Sequence, residues 1–282
     1  MAVSFFSDLH KSIFDLGFYR EAVKRSRGRV VMFMLKLLVL TALVTGVSKT
    51  YYLLHSERGV APLISAVFSG MEIVDGRLVT ELEQPYDMSG VMPAELLGRL
   101  MGYPHLFERT PKNFLVVDTR TPPVAYEGAD APHVLLGETS VEFRVVRMEI
   151  PYKNITGSEN FQFTASAVQG VLNRNAVSFA LQFFMGALFF GFFTMMISAF
   201  FLSLAAYIFA IDRRGGYGRF ARLASYAITP VMLGSALVAV SGVSAEWTWH
   251  VFIIISTIIM FRAMTRLSLD KTSEEKSEVH SG

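Results

Sequence analysis

The sequence predicts an α+β membrane protein: a four-helix transmembrane bundle with a mostly β extracytoplasmic domain inserted between spans one and two. Three observations carry that prediction. Residues 175–211 are rich in Phe, Leu, Met and Ala, with no charge between Arg174 and Asp212. A bilayer core of ~30 Å needs only about 20 such residues as a helix. Three more apolar stretches, 30–48, 223–241 and 247–264, are long enough to cross. Between the first two spans lie residues 49–174, a substantial polar region where Pro, Gly, Asp, Glu and His are concentrated.

Composition agrees. With 52% hydrophobic and 18% charged residues, the 282-residue chain sits between a soluble globule and a pure membrane bundle. The net charge of +2 is too small to suggest a nucleic-acid partner. The absence of cysteine excludes disulfides, thiolate metal sites, iron–sulfur clusters and a cysteine nucleophile.

Residues 1–29 are expected to form a cytoplasmic amphipathic helix. Phe5, Phe6, Leu9, Ile13, Leu16, Tyr19 and Val23 share one stripe at helical spacing. Asp8, His10, Lys11, Asp15 and Arg20 face the other way, and Lys24, Arg25, Arg27 and Arg29 follow. Two compatible readings stand. The helix lies on an anionic leaflet, or it packs against the protein's own bundle.

The basic cluster places the N-terminus in the cytoplasm by the positive-inside rule. The long charged lead, without a clear small-residue cleavage site, predicts that span 30–48 is a retained anchor. Lys36 interrupts this span, and an ionisable residue there is a functional hypothesis by default. It lies about 10 Å along the helix from Arg29 at ~1.5 Å per residue, a distance its own stem can largely cover. Snorkelling or pairing within the bundle explains Lys36 better than a transport role.

Within residues 49–174, positions 61–67 read as a short helix. Residues 71–83 alternate around Asp75-Gly76, the strongest short hairpin signal. Residues 93–101 read as a helix opened by Pro93. Residues 114–118 read as a buried strand, and 133–136 and 141–150 as further strands.

From Thr164 the chain turns helical. One helix over residues 166–211 would be ~69 Å long. A break near Gly186 or Gly191, a tilt, or a projecting end must absorb the excess. Counting two spans here would place Arg213, Arg214, Arg219 and Arg222 outside, against the charge rule, so one is retained. Residues 212–222 are expected as a basic cytoplasmic loop turned by its glycines. In span 223–241 the small residues Ser225, Ala227, Gly234, Ser235 and Ala239 permit close helix approach, and Pro230 should kink it. Trp247 and Trp249 mark the outer interface of span 247–264; Arg262 and Arg266 mark its cytoplasmic end. The polar tail, residues 265–282, is expected to be disordered.

No catalytic, cofactor-binding or metal-binding residues are predicted. The chain has no helical histidine pair and no Gly-x-Ser-x-Gly elbow. Gly215-Gly216-x-Gly218 lacks the preceding strand and the Gly-Lys-Ser of a phosphate loop. Asp130 and His133 fall in a turn-rich stretch and read as solvated loop residues. The candidate intramembrane polar residues are Lys36, Gln182, Tyr207 and His250. Gln182 and His250 both lie near the outer surface, so they define no path across the bilayer.

Several features in order resemble a bacterial membrane-protein family catalogued as domain of unknown function 1189, some of whose members are labelled maltodextrin utilization proteins. Phe5-Phe6 through Arg20 is similar to its amphipathic lead. Residues 73–78 followed by Gln84-Pro85-Tyr86 are similar to its hairpin, Val116-Val117-Asp118-Thr119 to its strand, and residues 222–230 to the start of its penultimate span. The family supplies architecture and no site residues. The expected function is an integral membrane accessory or scaffold protein of the bacterial cytoplasmic membrane, with both termini cytoplasmic. Its partners would be the lipid bilayer and a protein or envelope ligand bound through residues 49–174, with no cofactor. The alternative is a small transporter or lipid-handling protein.

Overall fold

The computed structural model describes residues 2–55, 60–94, 96, 112–120, 131–209, 216–241 and 246–279. In chain order the helices are α1 (Ala2–Phe14), α2 (Phe18–Lys24), α3 (Arg27–His55), α4 (Val60–Val67), α5 (Tyr152–Thr156), α6 (Ala165–Arg174), α7 (Ala176–Phe209), α8 (Tyr217–Ala227), α9 (Thr229–Ser241) and α10 (Glu246–Val279). The strands are β1 (Met71–Val74), β2 (Arg77–Thr80), β3 (Tyr86–Asp87), β4 (Leu115–Val117), β5 (Val134–Leu136), β6 (Ser140–Phe143), β7 (Met148–Pro151) and β8 (Phe161–Gln162). The chain divides into two units: Met1–Ser48 with Leu181–Gly282, and Lys49–Ala180.

Among the described residues of the whole chain, four helices are long and apolar enough to cross a membrane. They are α3, α7, the α8–α9 pair, and His250–Leu267 within α10. Two-thirds of the apolar window of α8–α9 is buried inside the protein, against 17% for α7. The third span is therefore the centre of the bundle, and α7 presents Phe189, Phe193, Ile197 and Phe201 outward.

The N-terminal stripe folds as two helices, not one. The Asp15 carboxylate accepts the Gly17 N–H at 2.8 Å, a local turn that competes with further helix. Both pieces pack inward: Phe5, Phe18, Tyr19 and Ala22 belong to the core, while Phe6 stays exposed. The structure thus bears out packing against the protein's own bundle. The Tyr19 hydroxyl donates to the Ser12 carbonyl at 2.6 Å, tying α2 to α1.

Four further expectations are corrected. The helix over 166–211 divides at Asn175, and α7 runs unbroken through Gly186 and Gly191, so a tilt or a projecting end is left to absorb the excess of its 34 residues. Asn175 donates its side-chain amide and its backbone N–H to the Val171 carbonyl, at 2.9 and 3.1 Å, and so ends α6. Residues 217–222, expected in a loop, are the first turns of α8. Phe220 is buried on the same face as Leu223, Ala224 and Ala227, so that segment is amphipathic helix. The tail up to Val279 continues α10, since residues 246–279 contain neither Gly nor Pro and are rich in Glu and Lys towards the end. Ser235 is exposed, whereas Ala224, Ser225, Ala227, Gly234 and Ala236 are buried.

The third span divides at Ile228, two residues before Pro230. Pro230 has no N–H for the Tyr226 carbonyl one turn back. The buried Thr229 hydroxyl donates to that carbonyl at 2.7 Å, and accepts from the Ser12 hydroxyl at 3.1 Å. The same threonine so repairs the break and fastens α1 to the third span.

The unit Lys49–Ala180 holds two sheets. One has the order β2-β1-β8; the other has the order β3-β4-β5-β6-β7. All neighbours are antiparallel except β4 and β5, which are parallel. The β1–β2 turn is as expected: Asp75 (φ 49°) and Gly76 (φ 76°) both take the positive φ that a tight hairpin turn requires. The expected strand over 141–150 is instead a hairpin, β6–β7, reversed over residues 144–147 with Arg147 at φ 51°. The helix expected over 93–101 lies largely outside the described residues. Ile73, Leu78, Val116, Val117, Leu135 and Tyr152 are among the buried side chains of this unit.

Candidate functional site

The four polar positions singled out from the spans lie on three helices and differ in exposure. Gln182 and His250 are exposed, on α7 and α10 respectively. Tyr207 is half-buried, with its ring 5.9 Å from that of Phe220. Lys36 is half-buried on α3, with its Nζ 5.9 Å from the centre of the Phe5 ring. Lys36 is the one of the four that lines the cavity between α1 and α3.

That cavity measures about 410 Å³ and is lined by Phe5, Asp8, Arg25, Arg29, Met32, Phe33 and Lys36. Its construction follows from helical spacing. Arg29, Met32, Phe33 and Lys36 stand at i, i+3, i+4 and i+7 on α3 and so share one face. Phe5 and Asp8 stand at i and i+3 on α1. Arg25, in the joint before α3, closes the space.

Arg25 is held on several sides. Its Nη2 donates to Asp8 Oδ1 at 2.9 Å, and its Nη1 donates to Asp8 Oδ2 and to the Tyr226 hydroxyl. The guanidinium lies 4.8 Å from the centre of the Phe18 ring and 5.5 Å from that of Tyr226. The bond to Asp8 raises the guanidinium pKa above its ordinary range and outweighs burial, which acts the other way. Arg25 and Asp8 therefore neutralise each other as a fixed bidentate pair. Among the described residues, Arg29 and Lys36 have no acidic partner. The i, i+7 pairing of Arg29 with Lys36 was present in the sequence as a signal; the facing Phe5 and Asp8 were not.

In the unit Lys49–Ala180, Asp130 and His105 lie outside the described residues. His55 stacks on Tyr51 at 4.9 Å, and His133 stacks on Phe114 at 5.7 Å. Among the described residues, no group of three His, Asp or Glu side chains is placed to hold a metal. Glu138 accepts from Arg77 at 2.8 Å. Asp118 is buried beside Arg120.

Asp87 has a structural use. Its Oδ1 accepts the Ser89 N–H at 2.9 Å and also the Ser89 hydroxyl, capping a single turn at Met88–Gly90. Desolvation pushes the Asp87 carboxyl up, but bonds from Ser89 and Asn113 outweigh it, so its pKa lies below the usual carboxylate range. Because the folded pKa is depressed, the stabilisation is present above the unfolded carboxylate pKa and is lost as pH falls through the folded one. Asp87→Ala is expected to cost about 1 kcal/mol at neutral pH and nothing in acid. Denaturation of wild type and variant across that range checks this; a constant difference down to the lowest pH would refute it.

The β6–β7 hairpin presents apolar side chains to solvent. Val145 and Val146 at its tip are 75% and 65% exposed, and Met148 is 46% exposed. Among the described residues β7 is the edge of the five-stranded sheet and pairs with β6 alone. Arg144 lies 3.6 Å from Glu142, while Arg147 reaches no acidic side chain among the described residues.

No family model matches the chain, and no curated protein or solved structure matches it either.

Proposed function

We propose that this chain is an integral membrane accessory protein of a bacterial cytoplasmic membrane, whose unit Lys49–Ala180 lies outside and binds a protein partner through the β6–β7 hairpin. The observation that supports this is the exposed apolar tip on an edge strand, Val145, Val146 and Met148. Burying one such side chain fully is worth roughly 1.5–3 kcal/mol. The β7 edge, unpaired among the described residues, offers backbone groups that an extended partner segment can pair. Arg147 favours an acidic residue in that segment. The orientation rests on the Lys and Arg residues before span one and after span four. The alternative as a small transporter gains little from the four polar positions, of which Gln182 and His250 are exposed.

Val146→Cys tests the proposal in a chain that has no other cysteine. In intact cells an impermeant maleimide is expected to label it. A photocrosslinker attached there is expected to capture one protein through an extended, partly acidic segment, and Val145→Asp in the same chain is expected to abolish capture. Labelling only after lysis, adducts only to lipid, or substrate flux through the purified protein in liposomes would each overturn the reading.

A further inference from the structure

We propose that the cavity between α1 and α3 binds a negatively charged phosphate group, of the kind carried by an anionic lipid headgroup, through Arg29 and Lys36. This is independent of the reading of residues 49–180. The argument begins with charge. Asp8 would repel an anion, but it is matched by Arg25 in a bidentate pair, with both side chains four-fifths or more buried. Arg29 and Lys36 remain as positive charges on one face of α3, with no acidic partner among the described residues. They stand about 10 Å apart along the helix, seven residues at ~1.5 Å each. Both side chains are long enough to converge on a group held between them.

The rest of the lining selects what carries the phosphate. Phe5, Met32 and Phe33 are apolar, and Met32 is at once a wall of the cavity and 53% exposed. Beside it Val31, Leu35 and Val39 are exposed on the same helix. A phosphate seated on Arg29 and Lys36 therefore has apolar surface directly next to it, the arrangement an amphiphile fills. The cations sit where the first span begins, at the level where acidic headgroups attract basic side chains. A free phosphate would share the charge recognition and leave the apolar walls unused.

The full chain is tested in phosphatidylcholine nanodiscs with and without phosphatidylglycerol, reading bound lipid by native mass spectrometry and the melting temperature. Phosphatidylglycerol is expected to be retained in preference to phosphatidylcholine and to raise the melting temperature. Arg29→Gln with Lys36→Gln is expected to cut that preference by about tenfold or more, the scale of one lost charge-assisted contact. The charge-keeping variant, Arg29→Lys with Lys36→Arg, is expected to retain it, as is Lys24→Gln, whose exposed cation lies outside the cavity. Inorganic phosphate that raises the melting temperature in pure phosphatidylcholine discs, and no longer does so in the double Gln variant, would support the same site with a soluble source. Wild type that holds both lipids equally and does not respond to phosphate overturns the proposal without any variant. So does a folded double Gln variant with unchanged preference.

Discussion

Arg120→Ala is expected to destabilise the unit Lys49–Ala180 by about 3 kcal/mol, because it removes two charge-assisted bonds from a buried carboxylate. The Asp118 side chain is wholly buried, whereas that of Arg120 is 43% exposed. Arg120 donates Nε to Oδ1 at 2.8 Å, Nη2 to Oδ2 at 3.1 Å and its backbone N–H to Oδ1 at 3.3 Å. The pair sits just beyond the parallel strands β4 and β5, where the Asp118 N–H donates to the Leu136 carbonyl at 3.0 Å. Removing the arginine side chain takes both guanidinium bonds from a carboxylate that water does not reach. The reverse change is milder: Asp118→Asn removes the charge, and Arg120 can turn to solvent. The double variant is therefore expected to be more stable than Arg120→Ala alone. Urea unfolding of the full chain, with hydrogen exchange of the β4 and β5 amides as local readout, measures the cycle. A loss below about 0.5 kcal/mol for Arg120→Ala would place this pair with ordinary surface ion pairs.

What the sequence revealed and what it hid divides along the range of the interactions. The β1–β2 hairpin was legible because Asp75-Gly76 fixes its own backbone, with no help from distant residues. The four apolar helices were legible because span length and charge are properties of a single stretch. The β6–β7 turn was hidden because residues 141–145 and 146–150 each alternate, only the phase shift at Val145-Val146 separates them, and arginine is no turn signal. The split between α1 and α2 was written locally, in Asp15 and Gly17, but a continuous apolar stripe masked it. The break at Asn175 is set by one side-chain amide bonding back one turn, which the apolar run that follows it masks. The tail looked disordered from its charge, although Glu and Lys are also good helix formers. The cavity depends on packing α1 against α3. Lys36 was conspicuous in the sequence, but which residues face it was not.

Gly234→Leu is expected to be the most damaging single change in the membrane bundle, costing about 3 kcal/mol, at the upper end for overpacking a filled interface. Gly234 is buried in α9, which packs along α10, and even a β-carbon there would overlap the Phe252 ring. The glycine is thus needed for its missing side chain: it lets two helices meet at a distance no larger residue permits. Little is available to relieve the clash from the α9 side, because the neighbouring Val231, Met232 and Ala236 are buried as well. The ring can be moved by mutation, so Phe252→Ala in the Gly234→Leu background is expected to recover much of the loss. Gly186 on α7 supplies the control, since nothing lies within 4 Å of a β-carbon built there. Gly186→Leu should leave the melting temperature unchanged or raise it, because it replaces a poor helix former at an open position. Thermal unfolding of wild type and the three variants in one detergent decides the matter. Equal melting temperatures for Gly234→Leu and wild type would mean that α9 and α10 do not meet at Gly234. A loss that Phe252→Ala fails to relieve would place the clash elsewhere than on that ring.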